Sequence, residues 1–184
     1  MAQSWRVKPQ RHNRPRPALD GEALERLALF YVGRYATTRA RLASYLTRKL
    51  RERGWEGDAP APVAAVVERL SSLGYVDDGA FATARAASLQ RRGFGERRVA
   101  QALQAAGIAE ADAAEARQDA REGALTSALR FAERKRLGPY AAAPPDRRDR
   151  EKGFGAMLRA GHSPAIARQV LDLGPGQFPD CDTE

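Results

Sequence analysis

An apolar residue, three variable residues and a glycine recur at a nearly constant step along this chain, as Leu50-x-x-x-Gly54-Trp55, Leu103-x-x-x-Gly107-Ile108 and Met157-x-x-x-Gly161-His162. From Gly54 to Gly107 is 53 positions, and from Gly107 to Gly161 is 54. Each motif places an apolar residue one turn before a glycine that can end a helix in left-handed backbone, and then a residue able to fold back on that helix. A fixed period of this length marks a tandem array, in which neighbouring units cover one another's apolar faces.

The residue types say what each unit is made of. Alanine, arginine, leucine and glutamate dominate, aromatics are only 7%, and runs of β-branched residues are nearly absent, so helices are favoured over strands. Apolar stripes recur at helical spacing: Leu24, Leu27, Ala28, Tyr31 and Tyr35; then Leu42, Tyr45, Leu46 and Leu50, with the Lys49 stem at its edge; then Val63, Val66, Val67, Leu70 and Leu73. Asp20 is a candidate N-cap, Pro60 and Pro62 stand where a helix can begin, and Gly54 and Gly74 stand where helices end.

The expected fold is therefore all-α, with three tandem three-helix repeats over residues 19–74, 75–118 and 119–173. The second unit has a helix containing Phe81, Ala84 and Ser88, a helix with Val99, Ala102, Leu103 and Ala106, and an acidic helix through Glu110, Asp112 and Glu115. In the third, Leu125, Ala128, Leu129 and Ala132 form a stripe, residues 138–146 read as a loop, and Gly153 and Gly155 interrupt the next helix at about 1 kcal/mol each. Ser163 and Pro164 begin the last helix. Units this small, the second with a mostly alanine interior, need their neighbours for stability, which predicts an elongated, curved array. Residues 1–18, with Arg6, Lys8, Arg11, Arg14 and Arg16 and no acid among the first 17, read as a disordered basic arm, and residues 174–184 as a flexible acidic tail.

The net charge of +8, from 31 Lys+Arg against 23 Asp+Glu, points to an anionic partner. Arginine supplies nearly all the cations, and its planar fork suits phosphate and carboxylate, although GC-rich coding produces the same bias. The single cysteine, Cys181, excludes a disulfide framework and a cysteine metal cluster. With no signal peptide and no long apolar run, a cytoplasmic location is expected.

The chain offers little to an enzyme. His12 lies in the basic arm and His162 in a turn, neither with a partner for acid–base work, and no phosphate-binding glycine loop occurs. The resembling triplets Gly93-Phe94-Gly95 and Gly153-Phe154-Gly155 stand at different distances from their following helix-ending glycines, which makes them coincidental. Asp77 and Asp78 invite a metal, but they follow a glycine turn at the start of an apolar-periodic segment. There Asp77 reads as an N-cap and Asp78 as a first-turn acid, and hard cations need more oxygen ligands than this segment supplies. No catalytic residue, metal or cofactor is expected.

The cations fall at the corner between the first and second helix of each unit: Arg34, Arg39 and Arg41; Arg91, Arg92, Arg97 and Arg98; and Arg134, Lys135, Arg136, Arg147, Arg148, Arg150 and Lys152. Helix C-termini favour cations, which accounts for Arg91, Arg92 and residues 134–136 but not for Arg97 and Arg98 near a helix start. Regular stacking would align these corners in a basic ridge able to follow a phosphate backbone or an acidic protein groove.

The stretch Leu73-Gly74-Tyr75-Val76-Asp77-Asp78-Gly79-Ala80-Phe81-Ala82, with Gly95-x-Arg97-x-Val99-x-x-x-Leu103-x-x-x-Gly107-Ile108 after it, resembles the RecX family of recombinase regulators. Gly74, Tyr75, Asp77, Asp78, Phe81, Leu103 and Gly107 carry the likeness, which extends in outline over about residues 20–173. The resemblance implies tandem three-helix repeats and a non-enzymatic protein that lodges in the groove of the RecA recombinase filament on DNA. Such a protein limits filament growth, ATP hydrolysis and strand exchange in homologous recombination, DNA repair and the SOS response. It also implies direct contact with DNA, single-stranded in the first place and double-stranded as well, and a monomer is expected. The basic arm and the proline-rich insertion before Asp146 are additions to the family pattern. The alternative is a helix-turn-helix-like transcriptional or architectural factor, but Asn13 is the only asparagine and only Gln101 and Gln104 lie on a basic helix, which is poor equipment for reading bases.

Overall fold

The computed structural model describes residues 17–179. Among them are nine α-helices and one 3-10 turn, with no strand beyond a single bridge between Leu19 and Trp55. The helices are α1 (Gly21–Val32), α2 (Arg39–Arg53), α3 (Val63–Ser72), α4 (Asp78–Arg91), α5 (Glu96–Gln104), α6 (Glu110–Glu122), α7 (Ala124–Lys135), α8 (Arg147–Arg159) and α9 (Pro164–Asp172). The fold is the all-α array of three-helix units expected from the sequence. The basic residues 6 to 16, and residues 180–184 with Cys181, lie outside the described part.

Each unit has its own core. Leu24, Ala28, Leu42, Leu46, Val66, Val67 and Leu70 fill the first, closed by Leu19 and Val76. The second is lined by Ala82, Ala86, Ala113, Ala116 and Ala120 around Leu89, Val99 and Leu103, and small side chains let α4 and α6 lie close together. Ala128, Phe131, Ala132, Met157, Ala167, Val170 and Leu171 fill the third.

Helix starts follow local chemistry. Asp20, Thr38, Asp77, Asp146 and Ser163 each accept a backbone N–H of the first turn on a side-chain oxygen. Helix ends repeat one device: Tyr75, Phe94, Ile108 and His162 donate their N–H back to Leu70, Leu89, Leu103 and Met157, each across a glycine of positive φ.

Three expectations are corrected. α6 runs to Glu122, past the expected break at residue 118, because its buried alanine stripe continues to Ala120 with no breaker before Gly123. α8 passes uninterrupted through Gly153 and Gly155, since Gly153 is buried where Leu137 and Leu171 pack against it. The tail is held as far as Phe178: Gly176 donates its N–H to the Pro139 carbonyl at 2.8 Å, and Phe178 meets the Tyr140 ring edge-on.

Candidate functional site

The two joints between units are built alike, and they decide where the arginines stand. In each, the first turn of one unit's second helix abuts the glycine turn that ends the second helix of the next. At the first joint, the Thr38 hydroxyl donates to the Ala106 carbonyl at 2.7 Å. At the second, Gly95 donates its N–H to the Ala160 carbonyl at 3.0 Å, and Arg97 donates its own to Gly161 at 3.1 Å. A Cβ on Gly107 would overlap Ala40, one on Gly161 would overlap the Arg98 backbone, and one on Gly95 would overlap Gly161. Gly107 and Gly161 thus end helices and admit the neighbouring unit.

Ion pairing ties the first joint further. Asp78, buried at 4% exposure, accepts the Arg39 backbone N–H at 2.9 Å and its Nε at 3.4 Å, while Arg39 Nη2 reaches Asp112. The hydrogen bond to Asp78 raises the Arg39 pKa further above its ordinary value. Arg41 lies over the Phe81 ring at 5.2 Å. Arg39 therefore belongs to the joint, and Asp78 is an inter-unit anchor as well as a first-turn acid.

The second joint is centred on Phe94, which packs against the cores of units two and three. Arg92 and Arg98 lie over its ring at 5.2 and 6.0 Å, and Arg134 over Phe131 at 5.8 Å. Phe131 in turn packs at 5.6 Å from the ring of His162, whose Nε2 meets the Gly93 carbonyl at 3.1 Å. Burial pushes the His162 pKa below its ordinary value, against the opposing Gly93 contact. Neutral His162 is thereby a packing residue, its Nδ1 buried with no hydrogen-bond partner among the described residues. The sequence could not single it out, because the Gly93 carbonyl reaches it from the adjoining unit.

The expected ridge residues thus divide. Arg91, Arg92, Arg97, Arg98 and Arg134 are exposed around the second joint, with no carboxylate partner among the described residues. Arg34 lies over Tyr35 at 6.0 Å. In the third unit Arg147 pairs with Glu151, Arg150 with Asp172 and Lys152 with Asp149, whereas Lys135, Arg136 and Arg148 have no ionic partner among the described residues. Phe94, Thr38 and Gly95 were missed as joint residues, although the glycines flanking Phe94 were a usable signal. Gly93 and Gly95 abut backbone of unit three, whereas a Cβ on Gly155 would meet only the Arg159 side chain, so the two Gly-Phe-Gly triplets differ in role.

The buried face of α4 is Ala82, Ala86 and Leu89; Phe81 is half-buried against that core and, with Ala84 and Ser88, lines a groove of about 500 Å³ with Thr37 and Tyr75. Alanine on nearly every side of α4 leaves the apolar period without a preferred face. No group of His, Cys, Asp and Glu suited to a metal occurs among the described residues, and no described helix is long and apolar enough to cross a membrane.

Residues 77–116 match the family model for RecX, second three-helix domain. The chain is 36% identical over 160 residues to the regulatory protein RecX of Myxococcus xanthus, covering 83% of this chain and 86% of that relative. It is 34% identical over 150 residues to that of Agrobacterium fabrum, covering 79% and 80%. The crystal structure of RecX from Lactobacillus salivarius superposes with a TM-score of 0.60 at 19% identity, covering 82% of this chain and 94% of the other, a likeness of fold.

Proposed function

This chain belongs to the RecX family of regulatory proteins, and on that premise we propose that it regulates, mainly by inhibition, the RecA recombinase, binding in the groove of the recombinase–DNA filament. In that position it limits filament growth, ATP hydrolysis and strand exchange as a cytoplasmic, non-enzymatic, monomeric binding protein.

The observation that carries the reading is the cluster of Arg91, Arg92, Arg97, Arg98 and Arg134 at the second joint. The joint is fixed by backbone hydrogen bonds, and aromatic rings hold three of the five guanidinium groups in place. Cations held this way lose little further freedom on meeting an anionic partner. A groove formed by protein and DNA offers both carboxylates and phosphates, and a guanidinium can bind either bidentately.

The test is recombinase ATP hydrolysis and strand exchange with increasing amounts of the chain, against the variant Arg92→Glu/Arg98→Glu. Dose-dependent inhibition by the wild type, with at least ~10-fold more variant needed, is the expected result. Equal potency of the two proteins removes the cluster from the mechanism, and no effect of either overturns the reading.

A further inference from the structure

The two joints show what the start of a unit's second helix receives: the glycine-ended C-terminal turn of another helix. In units one and two this position is covered, with Thr38 fully buried and Gly95 buried under the following unit. In unit three the equivalent residues Asp146, Arg147 and Arg148 are all exposed, because no fourth unit follows among the described residues. Arg97, which donates its N–H to Gly161 at the second joint, corresponds to Arg148 here.

The other end of the array is closed. The Gly54 turn would receive a preceding unit, but the chain's own residues 17–19 fill it. Leu19 donates its N–H to the Gly54 carbonyl at 3.0 Å and accepts the Glu56 N–H at 2.9 Å, and Ala18 Cβ faces Gly54. Arg53 Nε ties down the Pro17 carbonyl at 2.9 Å. A second copy of the chain thus has no free turn to offer the open corner through Gly54, and head-to-tail growth is blocked.

Beside the open corner, a groove of about 650 Å³ is lined by apolar Leu137, Ala142, Ala156 and Leu171, with Asp146 and Asp149 along it. Lys135 and Arg136 line it as well, with no ionic partner among the described residues. Asp146 caps the Asp149 N–H at 2.7 Å, which leaves the Arg147 and Arg148 amides of the α8 start open; a helix C-terminus, with partial negative charge and unpaired carbonyls, matches these amides in hydrogen bonding and the cationic rim in sign.

We propose that the open corner of unit three is a docking surface for the glycine-ended C-terminal turn of a helix in a protein partner, repeating with another molecule the joint made twice within this chain. The inference rests on the reading that this partner is the recombinase filament.

The probe is recombinase assembled on single-stranded DNA with a non-hydrolysable nucleotide, and the test uses the full chain. Arg147→Glu/Arg148→Glu is expected to bind at least ~10-fold more weakly, while Arg51→Glu on α2 changes binding less than ~2-fold. Acidic residues in a helix's first turn suit its dipole, so the double variant keeps its fold, checked by helical circular dichroism. A second measurement places a photoactivated crosslinker at Ala142→Cys in a Cys181→Ser background, with crosslinks expected on recombinase residues at a glycine-ended helix C-terminus. Crosslinks to another element, to DNA or to a second copy overturn the proposal, as does unweakened binding of the double variant. A wild-type chain that fails to bind the filament instead overturns the functional reading beneath it.

Discussion

Asp78 accepts the Arg39 backbone N–H at 2.9 Å and its guanidinium Nε at 3.4 Å, so one buried carboxylate of unit two fixes the first turn of a helix in unit one. Arg39→Met keeps the stem and the backbone bond but withdraws the cation from a carboxylate that is 4% exposed. The Arg39 side chain is itself 39% exposed, which places the loss at the low end for such pairs, about 2 kcal/mol by urea unfolding. Adding Asp78→Asn to Arg39→Met is expected to recover part of that loss in a double-mutant cycle.

Two glycines of positive φ separate backbone strain from steric fit. Gly74, at φ 77°, has nothing within reach of an added Cβ, whereas at Gly161, φ 95°, the Cβ would overlap the Arg98 backbone. Gly74→Ala is expected to cost about 1 kcal/mol and Gly161→Ala clearly more, because only the second also forces units two and three apart. Thermal unfolding of the two variants checks the order.

His162 makes the second joint sensitive to acid. Burial lowers its folded-state pKa below the ordinary value of 6.5, so the unfolded chain binds this proton more readily. The stability it contributes is fully present above the unfolded pKa and is lost as pH falls through the lower folded value. Urea midpoints at pH 7.5 and pH 5.5 should therefore fall more in the wild type than in His162→Gln.

Arg136 is the only non-glycine residue of positive φ among the described residues, at φ 54° where α7 ends. Glycine suits that backbone better, so Arg136→Gly should stabilise the protein by about 1 kcal/mol. If Arg136 serves the open corner of unit three, the more stable variant binds the recombinase filament more weakly. Unfolding and filament binding measured on the same preparation report both.

The period of the helix-ending glycines made the array legible because all three need positive φ, but only Gly107 and Gly161 close the fold-back turn; Gly54, with ψ 174°, leads into the bridge between Leu19 and Trp55. Stripes of leucine and valine located the first unit. The alanine-rich second unit resisted that reading: with small apolar residues on most sides of α4, periodicity does not choose a face, and tertiary contact put Ala82, Ala86 and Leu89 inside. The arginines were visible as clusters at unit corners, but their separate fates depend on partners distant in sequence. Arg39 meets Asp78 and Asp112, Arg98 shares Phe94 with Arg92, and Arg150 meets Asp172. No local pattern encodes which cation is consumed by the fold and which remains exposed.

Equilibrium binding at physiological salt separates a filament-binding protein from a DNA-binding one, with three targets in parallel: bare single-stranded DNA, bare duplex, and the same single strand coated with recombinase and a non-hydrolysable nucleotide. Clear preference for the coated strand is expected, together with weak duplex binding whose affinity falls with a log–log salt slope of about −4.5 if five cations engage phosphates. Equal or tighter binding to bare DNA overturns filament regulation and makes the chain a DNA-binding protein that shares only the family's fold.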